Sequence, residues 1–499
     1  MRRSKRGRVG LFAWAFLVGS ATPGGFAAGQ PAEVDATTPV GVAVVDITPG
    51  YPIRLMGYAS RQTESQGVAS PLKARALAIG GDAETEGGPA LLVAVDNCAV
   101  GAKMIEDVAA RLKSKVGLPR ERFVVCSTHT HCAPALTTEL VYIFGRPLPA
   151  DQAGRIERYT RELTDALEKV ALAALADRKP ARLAWGQGRV GFAANRRVLR
   201  NGRWVNFGVN PNGPVDPSLP VLRATDAAGR VRAILFGYAC HCTTLGGEFN
   251  QICAEWAGFA CDEIERRSPG SVALAIIGCG ADANPEPRRN LTDARQHGHA
   301  AAQEVDRLVK SSASLTPLPG RISCRFRQLE LPLEPPPGRA VLVERAKRTD
   351  AEGLLARTLI ARLDRGQPLP TTVPYRVQTW CFGNELAMVF LAGEVVVDYA
   401  LRLKWEIDAD RLWIAAYSND VPCYIPSRRI LSEGGYEADT SMVYYGHPSR
   451  FTPEVEDRII QAVHDLLPAP FDGPREKATS GVGGGSIDAR KRRAPAGRP

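Results

Sequence analysis

Histidine is scarce in this chain, and the sequence lacks the signatures of thiolate zinc clusters and of membrane-spanning helices. There are 7 histidines in 499 residues. None of the 11 cysteines belongs to a Cys-x-x-Cys pair, which argues against a zinc cluster held by thiolates. After the N-terminal segment, no apolar run approaches the roughly 20 residues that a membrane-spanning helix needs. With 44% hydrophobic and 23% charged residues, the composition is that of a globular protein rather than a disordered or fibrous one.

The net charge of +10 lies almost entirely at the two ends of the sequence. Several basic residues precede the first acid, Glu33, and a second basic cluster occupies 490–493. The body between them is therefore close to neutral, and it offers no basic surface for phosphate groups. We predict that the protein has no nucleic-acid partner.

The first 29 residues have the three parts of a secretory signal: a basic start, an apolar run over 9–21 and small residues before Gly29. We therefore predict an exported protein, periplasmic or extracellular. Residues 471–499 combine a glycine run with basic residues, and we predict that they form a disordered basic tail. The folded body is then 40–470.

Strand-like and helix-like patterns alternate along this body, which predicts an α/β fold with a large mixed, mostly buried β-sheet flanked by helices. The predicted strands are 41–47, 74–79, 90–95, 123–127, 182–185, 231–238, 272–277, 322–333, 377–382, 387–391 and 412–416. The predicted helices are 102–116, 151–176, 256–267, 293–310, 395–405 and 453–467.

The predicted strand 123–127 runs directly into two histidines, His129 and His131. Imidazole is the commonest metal ligand and the usual proton shuttle near neutral pH. Residues two apart on an extended chain share a face, so the pair suggests that both histidines bind one metal ion. Two solvated histidines at a strand end are the alternative, and the pair alone leaves both interpretations open.

Other predicted strands also end near polar side chains. These are His241, Asn284, Glu394 and Tyr424. In open α/β sheets, ligands bind where strands end and loops begin. We therefore predict one metal site at the strand ends, although each group alone has a structural explanation. Glu394, for example, lies where a helix is expected to begin, and an acidic group is favourable there.

Six short motifs follow one another along the body. They are Thr128-His129-Thr130-His131-x-x-Pro134, Asn195-Arg196, His241-x-Thr243, Gly393-Glu394, Tyr424-Ile425 and Tyr436-Glu437-Ala438. In this order and approximate spacing they resemble the neutral, non-lysosomal ceramidases. The resemblance extends over nearly all of 40–470, which it implies to be a ceramidase-like catalytic domain.

The resemblance implies one Zn²⁺ per chain, held by His129, His241, Glu394 and Tyr424. A zinc ion with nitrogen and oxygen ligands and an open position lowers the pKa of a bound water to about 7. Tyrosine is an unusual ligand, because its phenol has an ordinary pKa of about 10 and must be acidified by the metal.

The resemblance also places three catalytic residues at the scissile amide. Arg196 and Tyr436 would stabilise the oxyanion that develops on the carbonyl, and His131 would move a proton to the leaving amine. These assignments divide the histidine pair into one ligand and one catalytic neighbour.

Two features depart from the better-known ceramidases. Where those enzymes have a serine, this sequence has Asn284, which cannot form an acylated intermediate. At this catalytic position only a mechanism with metal-activated water is compatible. Those enzymes also carry a C-terminal immunoglobulin-like domain, for which the sequence after Pro468 is too short.

The predicted function is cleavage of the amide bond of an N-acylated, ceramide-like lipid. Two alternatives stay open: a zinc hydrolase of another ester or amide on the same scaffold, and an exported metal- or ligand-binding protein without catalysis. The predicted partner is a small-molecule or lipid amide substrate. Transient contact with a membrane surface is a further option, and the sequence does not predict an oligomeric state.

Overall fold

The part of the chain that the structure describes is built around two β-sheets. The computed structural model describes residues 37–82, 87–311 and 314–471. The predicted signal segment and, apart from Phe471, the predicted tail lie outside these residues, so both stay predictions. Within the described ranges, no helix combines the length and apolarity needed to cross a membrane.

The strands alternate with helices from Thr38 to Leu466. The strands are β1 (Thr38–Asp46), β2 (Lys73–Ile79), β3 (Ala90–Val95), β4 (Phe123–Ser127), β5 (Lys179–Arg189), β6 (Ala193–Asn195), β7 (Arg197–Arg200), β8 (Arg203–Phe207), β9 (Ser218–Asp226), β10 (Val231–Tyr238), β11 (Val272–Ile277), β12 (Ala283–Pro285), β13 (Thr316–Leu318), β14 (Ile322–Pro332), β15 (Thr372–Phe382), β16 (Leu386–Leu391), β17 (Glu394–Val395), β18 (Leu412–Ala415) and β19 (Tyr424–Ile425).

The helices are α1 (Ala102–Val116), α2 (Ala150–Ala176), α3 (Glu255–Arg267), α4 (Leu291–Lys310), α5 (Arg339–Arg345), α6 (Ala351–Asp364), α7 (Val397–Glu406), α8 (Arg428–Glu433), α9 (Met442–Tyr445) and α10 (Val455–Leu466). Short 3-10 turns occupy Arg120–Arg122 and Ala469–Phe471, and a π-helical turn occupies Tyr436–Thr440.

The first sheet has nine strands, in the order β11-β10-β9-β5-β1-β2-β3-β4, with β13 pairing with β5. The second sheet has four strands, in the order β14-β15-β16-β18. Both are mixed: β3–β4, β10–β11 and β16–β18 are parallel pairs. The mixed, helix-flanked architecture predicted from the sequence is confirmed, but the division into two sheets was not expected.

The two sheets pack face to face, and helices cover their outer faces. In β3, Leu92 and Ala94 belong to an apolar cluster that includes Trp380 of the second sheet, whereas Leu91 and Val93 face the helix side. Helix α2 packs on β1 and β2, α3 on β11, α4 on β5 and β9, and α10 on β14 and β15. Burial on both faces explains why β3, β4 and β16 are continuous apolar runs rather than alternating ones.

Candidate metal centre and active site

Strand ends from both sheets meet at one buried point. His129 lies two residues beyond β4, and His241 lies three residues beyond β10. Glu394 lies three residues beyond β16 and pairs directly opposite Tyr424 in the parallel bridge between β17 and β19. The structure thus brings together the four predicted ligands. One detail was wrong: Glu394 belongs to a short strand, and helix α7 begins three residues later.

The loop after β18 joins the two sheets beside this point. Tyr417 accepts a backbone hydrogen bond from Ser127 (3.0 Å) and donates one to Gly393 (3.0 Å), while Asn419 donates to Val125 (2.8 Å). Tyr417, Asn419 and also His129 have positive φ angles of 51°, 62° and 57°. Side chains other than glycine rarely adopt this left-handed backbone conformation, and it clusters at functional sites.

Gly393, the glycine that precedes Glu394, has a structural reason to be there. Its φ is 80°, and a Cβ atom would lie 2.8 Å from the carbonyl oxygen of Cys423. Only glycine allows β17 and β19 to approach this closely. The Gly393-Glu394 motif therefore sets the distance between the carboxylate and Tyr424.

The donor atoms of three predicted ligands lie at distances that suit one metal ion. Glu394 Oε2 is 3.1 Å from His129 Nε2 and 3.1 Å from His241 Nε2. The phenol oxygen of Tyr424 is 3.4 Å from His241 Nε2. Donor atoms around a tetrahedral zinc ion are separated by about 3.3 Å. The set of two imidazoles, one carboxylate and one phenol is thus compatible with zinc.

Both predicted ligand histidines are oriented by backbone carbonyls. His129 Nδ1 donates to Cys98 O (2.6 Å), and His241 Nδ1 donates to Gly280 O (2.8 Å). These bonds place one proton on Nδ1 and direct Nε2 at Glu394. Metal-binding histidines are typically held in this way. The ring of Tyr417 stacks on His129 at 4.3 Å and fixes its plane.

The second oxygen of Glu394 is bound by Tyr445, whose hydroxyl donates to Glu394 Oε1. This leaves Oε2 for the two histidines. Sequence reasoning did not find Tyr445, because a tyrosine in a four-residue helix carries no local signal of this contact.

The charges in the site are strongly coupled. Burial alone would raise the pKa of Glu394, but His129 and His241 hold it well below its usual range. Burial alone would lower the pKa of His129, but the Glu394 carboxylate and Cys98 raise it to about 10. Burial and the charge of Arg196 lower the pKa of His241 to about 4. A metal ion must therefore displace one proton from His129 when it binds.

His131 differs from the other two histidines in its surroundings. Its Nε2 is 3.0 Å from His129 Nε2, but its buried Nδ1 has no hydrogen-bond partner in the described ranges. Gly57 leaves space for the ring, since a Cβ atom there would lie 2.5 Å from Nδ1. His131 therefore lacks the carbonyl partner that orients each ligand histidine.

Arg196 connects the candidate metal centre to a buried ion-pair network. Its guanidinium donates to Tyr424 Oη (3.1 Å), to Asn284 Oδ1 (3.4 Å) and to Glu437 Oε1 (2.9 Å). The other oxygen of Glu437 binds Arg197, and the side chain of Glu437 is 0% exposed. A bridging carboxylate thus fixes Arg196 in place. Glu437 lies within a motif that the sequence suggested, but the sequence alone gave it no role.

A cavity of about 220 Å³ opens onto this network. Its walls contain the predicted residues His131, Arg196, Asn284, Tyr424 and Tyr436, together with Gly57, Tyr58, Ala59, Ile143, Phe207, Thr243, Arg288 and Tyr444. Tyr436 packs edge-on against Tyr424, with ring centroids 5.3 Å apart. All predicted catalytic residues therefore face one space beside the candidate metal ligands.

Asn284 lies where the better-known ceramidases have a serine. Its side-chain oxygen accepts hydrogen bonds from Thr243 (3.1 Å) and Arg196 (3.4 Å). It therefore helps to position Arg196.

The chain matches a known family over part of its length and known structures over most of it. Residues 39–284 match the sequence model of a family described as neutral/alkaline non-lysosomal ceramidase, N-terminal. This range contains His129, His131, Arg196, His241 and Asn284; the remaining site residues lie beyond it and rest on the geometry.

Two solved structures share the fold. One is a neutral ceramidase from Pseudomonas aeruginosa, and the other is a ceramidase complexed with C2. Each superposes on this chain with a TM-score of 0.66 and 18% sequence identity. The match covers 87% of this chain in both cases, 74% of the first relative and 76% of the second. No curated protein sequence matches significantly. The family match and the shared fold agree: residues 39–284 match the neutral/alkaline non-lysosomal ceramidase family, and the described residues share the fold of the neutral ceramidase structures.

Proposed function

We propose that the protein is a zinc-dependent hydrolase that cleaves the amide bond of an N-acylated, ceramide-like lipid. The observation that carries this proposal is the convergence of His129, His241 and Glu394, whose donor atoms lie within 4.8 Å of one another. With Tyr424 beside them, they would hold one zinc ion. When bound, zinc supplies Lewis acidity that polarises a carbonyl and acidifies a water.

The residues of the cavity suit the remaining needs of amide hydrolysis. Arg196 is held by Glu437 at the edge of the metal centre and directs its guanidinium towards the space where the amide carbonyl would lie. Preorganised donors of this kind stabilise developing negative charge. Tyr436 would add a hydroxyl on the same wall. His131 would accept a proton from the attacking water and pass it to the leaving amine.

The family match and the walls of the cavity support the proposed substrate class. Ile143, Phe207 and Tyr444 contribute apolar surface beside the polar catalytic groups. Phe207 lines the cavity and, with Val205 and Val209 close to it in sequence, is 43–51% exposed, which supports transient contact with a membrane surface. We also propose export of the protein, on the basis of residues 1–29.

Removal of the metal tests the proposal directly. We expect the purified protein to release the fatty acid from a fluorogenic N-acyl sphingosine analogue. A chelator should lower the rate by about a hundredfold or more, because the metal supplies several kcal/mol of stabilisation to the transition state. Adding zinc back should restore the rate. Metal-free protein with full activity would contradict the mechanism, and tight zinc without turnover of any acyl amide would favour a binding protein.

His131→Ala separates the two roles of the histidine pair. We expect this variant to retain its zinc and to lose a factor of about 10² to 10⁴ in kcat, the usual contribution of a positioned proton-transfer group. Metal analysis and steady-state kinetics on the same sample measure both effects. His299→Ala is the matched control, since His299 is 53% exposed and distant from the cavity wall. Loss of zinc from His131→Ala would make His131 a ligand instead.

A further inference from the structure

Arg288 lies in the wall of the catalytic cavity and is held in place by neutral groups. Its Nε and Nη2 atoms both donate to the carbonyl oxygen of Thr243, at 3.1 and 2.6 Å. Nη2 also lies 3.4 Å from the hydroxyl oxygen of Tyr58. The side chain is therefore fixed in direction, and its charge is left uncompensated by these contacts.

No carboxylate in the described ranges lies within 4 Å of this guanidinium, and no acidic residue lines the cavity. Arg196, the other arginine of the cavity, is neutralised by Glu437 at 2.9 Å. The buried Glu255 interacts electrostatically with Arg288, but its two carboxylate oxygens accept backbone hydrogen bonds from Leu245 and Trp256. Arg288 thus faces the cavity without a directly paired carboxylate.

A second uncompensated cation reinforces this charge. Arg61 is buried and donates to the backbone carbonyls of Met56, His131 and Phe249. Its guanidinium lies 4.9 Å from the ring centroid of Tyr58, the residue whose hydroxyl is close to Arg288. Two guanidinium groups therefore flank Tyr58 without an acidic partner within 4 Å among the described residues.

The planar fork of a guanidinium matches the geometry of a carboxylate or phosphate group. Arg288 and His131 face the same cavity of about 220 Å³, so an anion held by Arg288 would be only a short distance from the scissile amide. Thr243 connects Arg288 to the catalytic residues, because its carbonyl oxygen accepts a hydrogen bond from Arg288 while its hydroxyl donates to Asn284 (3.1 Å).

We propose that Arg288 is a specificity-determining residue that selects N-acylated amines carrying an anionic oxygen group close to the amide nitrogen. This inference rests on the proposed amide hydrolysis and, within N-acylated amines, ranks those with an anionic group above neutral, ceramide-like ones. N-acyl amino acids, with a carboxylate, and phosphorylated N-acyl amino alcohols share the required chemistry. A neutral ceramide-like amide would leave the guanidinium without a partner.

The test compares acyl amides of one chain length. We would measure kcat and KM of the zinc-loaded protein for N-lauroylglycine, phosphorylated N-lauroylethanolamine and neutral N-lauroylethanolamine. We expect at least one anionic substrate to be preferred, by about tenfold to hundredfold in kcat/KM, as for hydrogen bonds to charged groups. The carboxylate and phosphate arms distinguish the two sources of charge.

Arg288→Gln should abolish this preference by raising KM for the anionic substrate, with the neutral substrate changed less than about twofold. Arg288→Lys should restore part of the preference, since it keeps the charge but not the fork. Arg295→Gln, an exposed change of the same charge, is the control. Equal use of charged and neutral substrates by the unmodified protein, or an equal loss for both in Arg288→Gln, would overturn the inference.

A binding measurement separates this inference from the proposed hydrolysis. Calorimetric titration of the zinc-loaded protein with the same three amides reports the charge preference even without turnover. If none of them is hydrolysed but Arg288→Gln weakens binding of the anionic amides, the proposed function fails and the inference stands. If hydrolysis proceeds and binding is indifferent to charge, the inference fails alone.

Discussion

Glu394→Ala and His129→Ala are each expected to lose the bound zinc and, with it, catalytic turnover. Glu394 Oε2 lies 3.1 Å from both His129 Nε2 and His241 Nε2, so removing the carboxylate deletes the donor at the centre of the set. Changes to groups that only orient ligands already lower metal affinity by about 10- to 100-fold, and loss of a ligand should exceed this. Metal content after dialysis measures the effect.

Two further variants make the interpretation unambiguous. Glu394→Gln keeps the side-chain volume but removes the charge, and it should also lose zinc. His299→Ala, at an exposed histidine, should leave metal content unchanged. Circular dichroism would verify that the variants are folded. Full occupancy in either alanine variant would refute the proposed ligand set.

Glu437→Gln is expected to lower the free energy of unfolding by about 3 to 5 kcal/mol, the cost of breaking a buried ion pair. The carboxylate of Glu437 is 0% exposed and bridges Arg196 and Arg197, whose side chains are 7% and 1% exposed. The glutamine has nearly the same volume, so the loss would arise from charge and not from a cavity. Urea denaturation measures it.

The matched control is Glu454→Gln, which removes a carboxylate paired with Arg458 at the surface, where the side chains are 65% and 50% exposed. A surface pair contributes no more than about 1 kcal/mol. Because Glu437 also fixes Arg196, the Glu437→Gln variant should show a reduced kcat at unchanged zinc content. A stability loss no larger than that of the control would mean that Glu433, which lies 3.0 Å from Arg197, compensates for the missing charge.

The sequence predicted the bounds of several strands that deliver the site, but not the two short strands that carry Glu394 and Tyr424. Strands β3, β4, β10 and β11 match their predicted bounds, because runs such as Phe123–Ser127 are buried on both faces and read as continuous apolar segments. Strands β17 and β19 have two residues each. They exist only through their mutual pairing, so no local pattern predicts them.

The hydrogen-bond partners of the site residues could not be predicted from the sequence either. The contacts from Tyr445 to Glu394 and from Glu437 to Arg196 span 51 and 241 residues. No sequence motif singled out Arg288, and its place in the cavity wall is what distinguishes it. The separated motifs, in their fixed order, therefore suggested which residues meet. The charged groups around these residues could be identified only from the fold.

The placement of the candidate ligands on two sheets has a consequence for how the protein assembles. His129 and His241 follow strands of the nine-stranded sheet, whereas Glu394 follows a strand of the four-stranded sheet. An ion bound by all three would act as a cross-link between segments more than 150 residues apart in the chain. Metal binding would then be coupled to folding. Docking of the sheets would complete the coordination sphere, and zinc uptake would report that the native interface has formed.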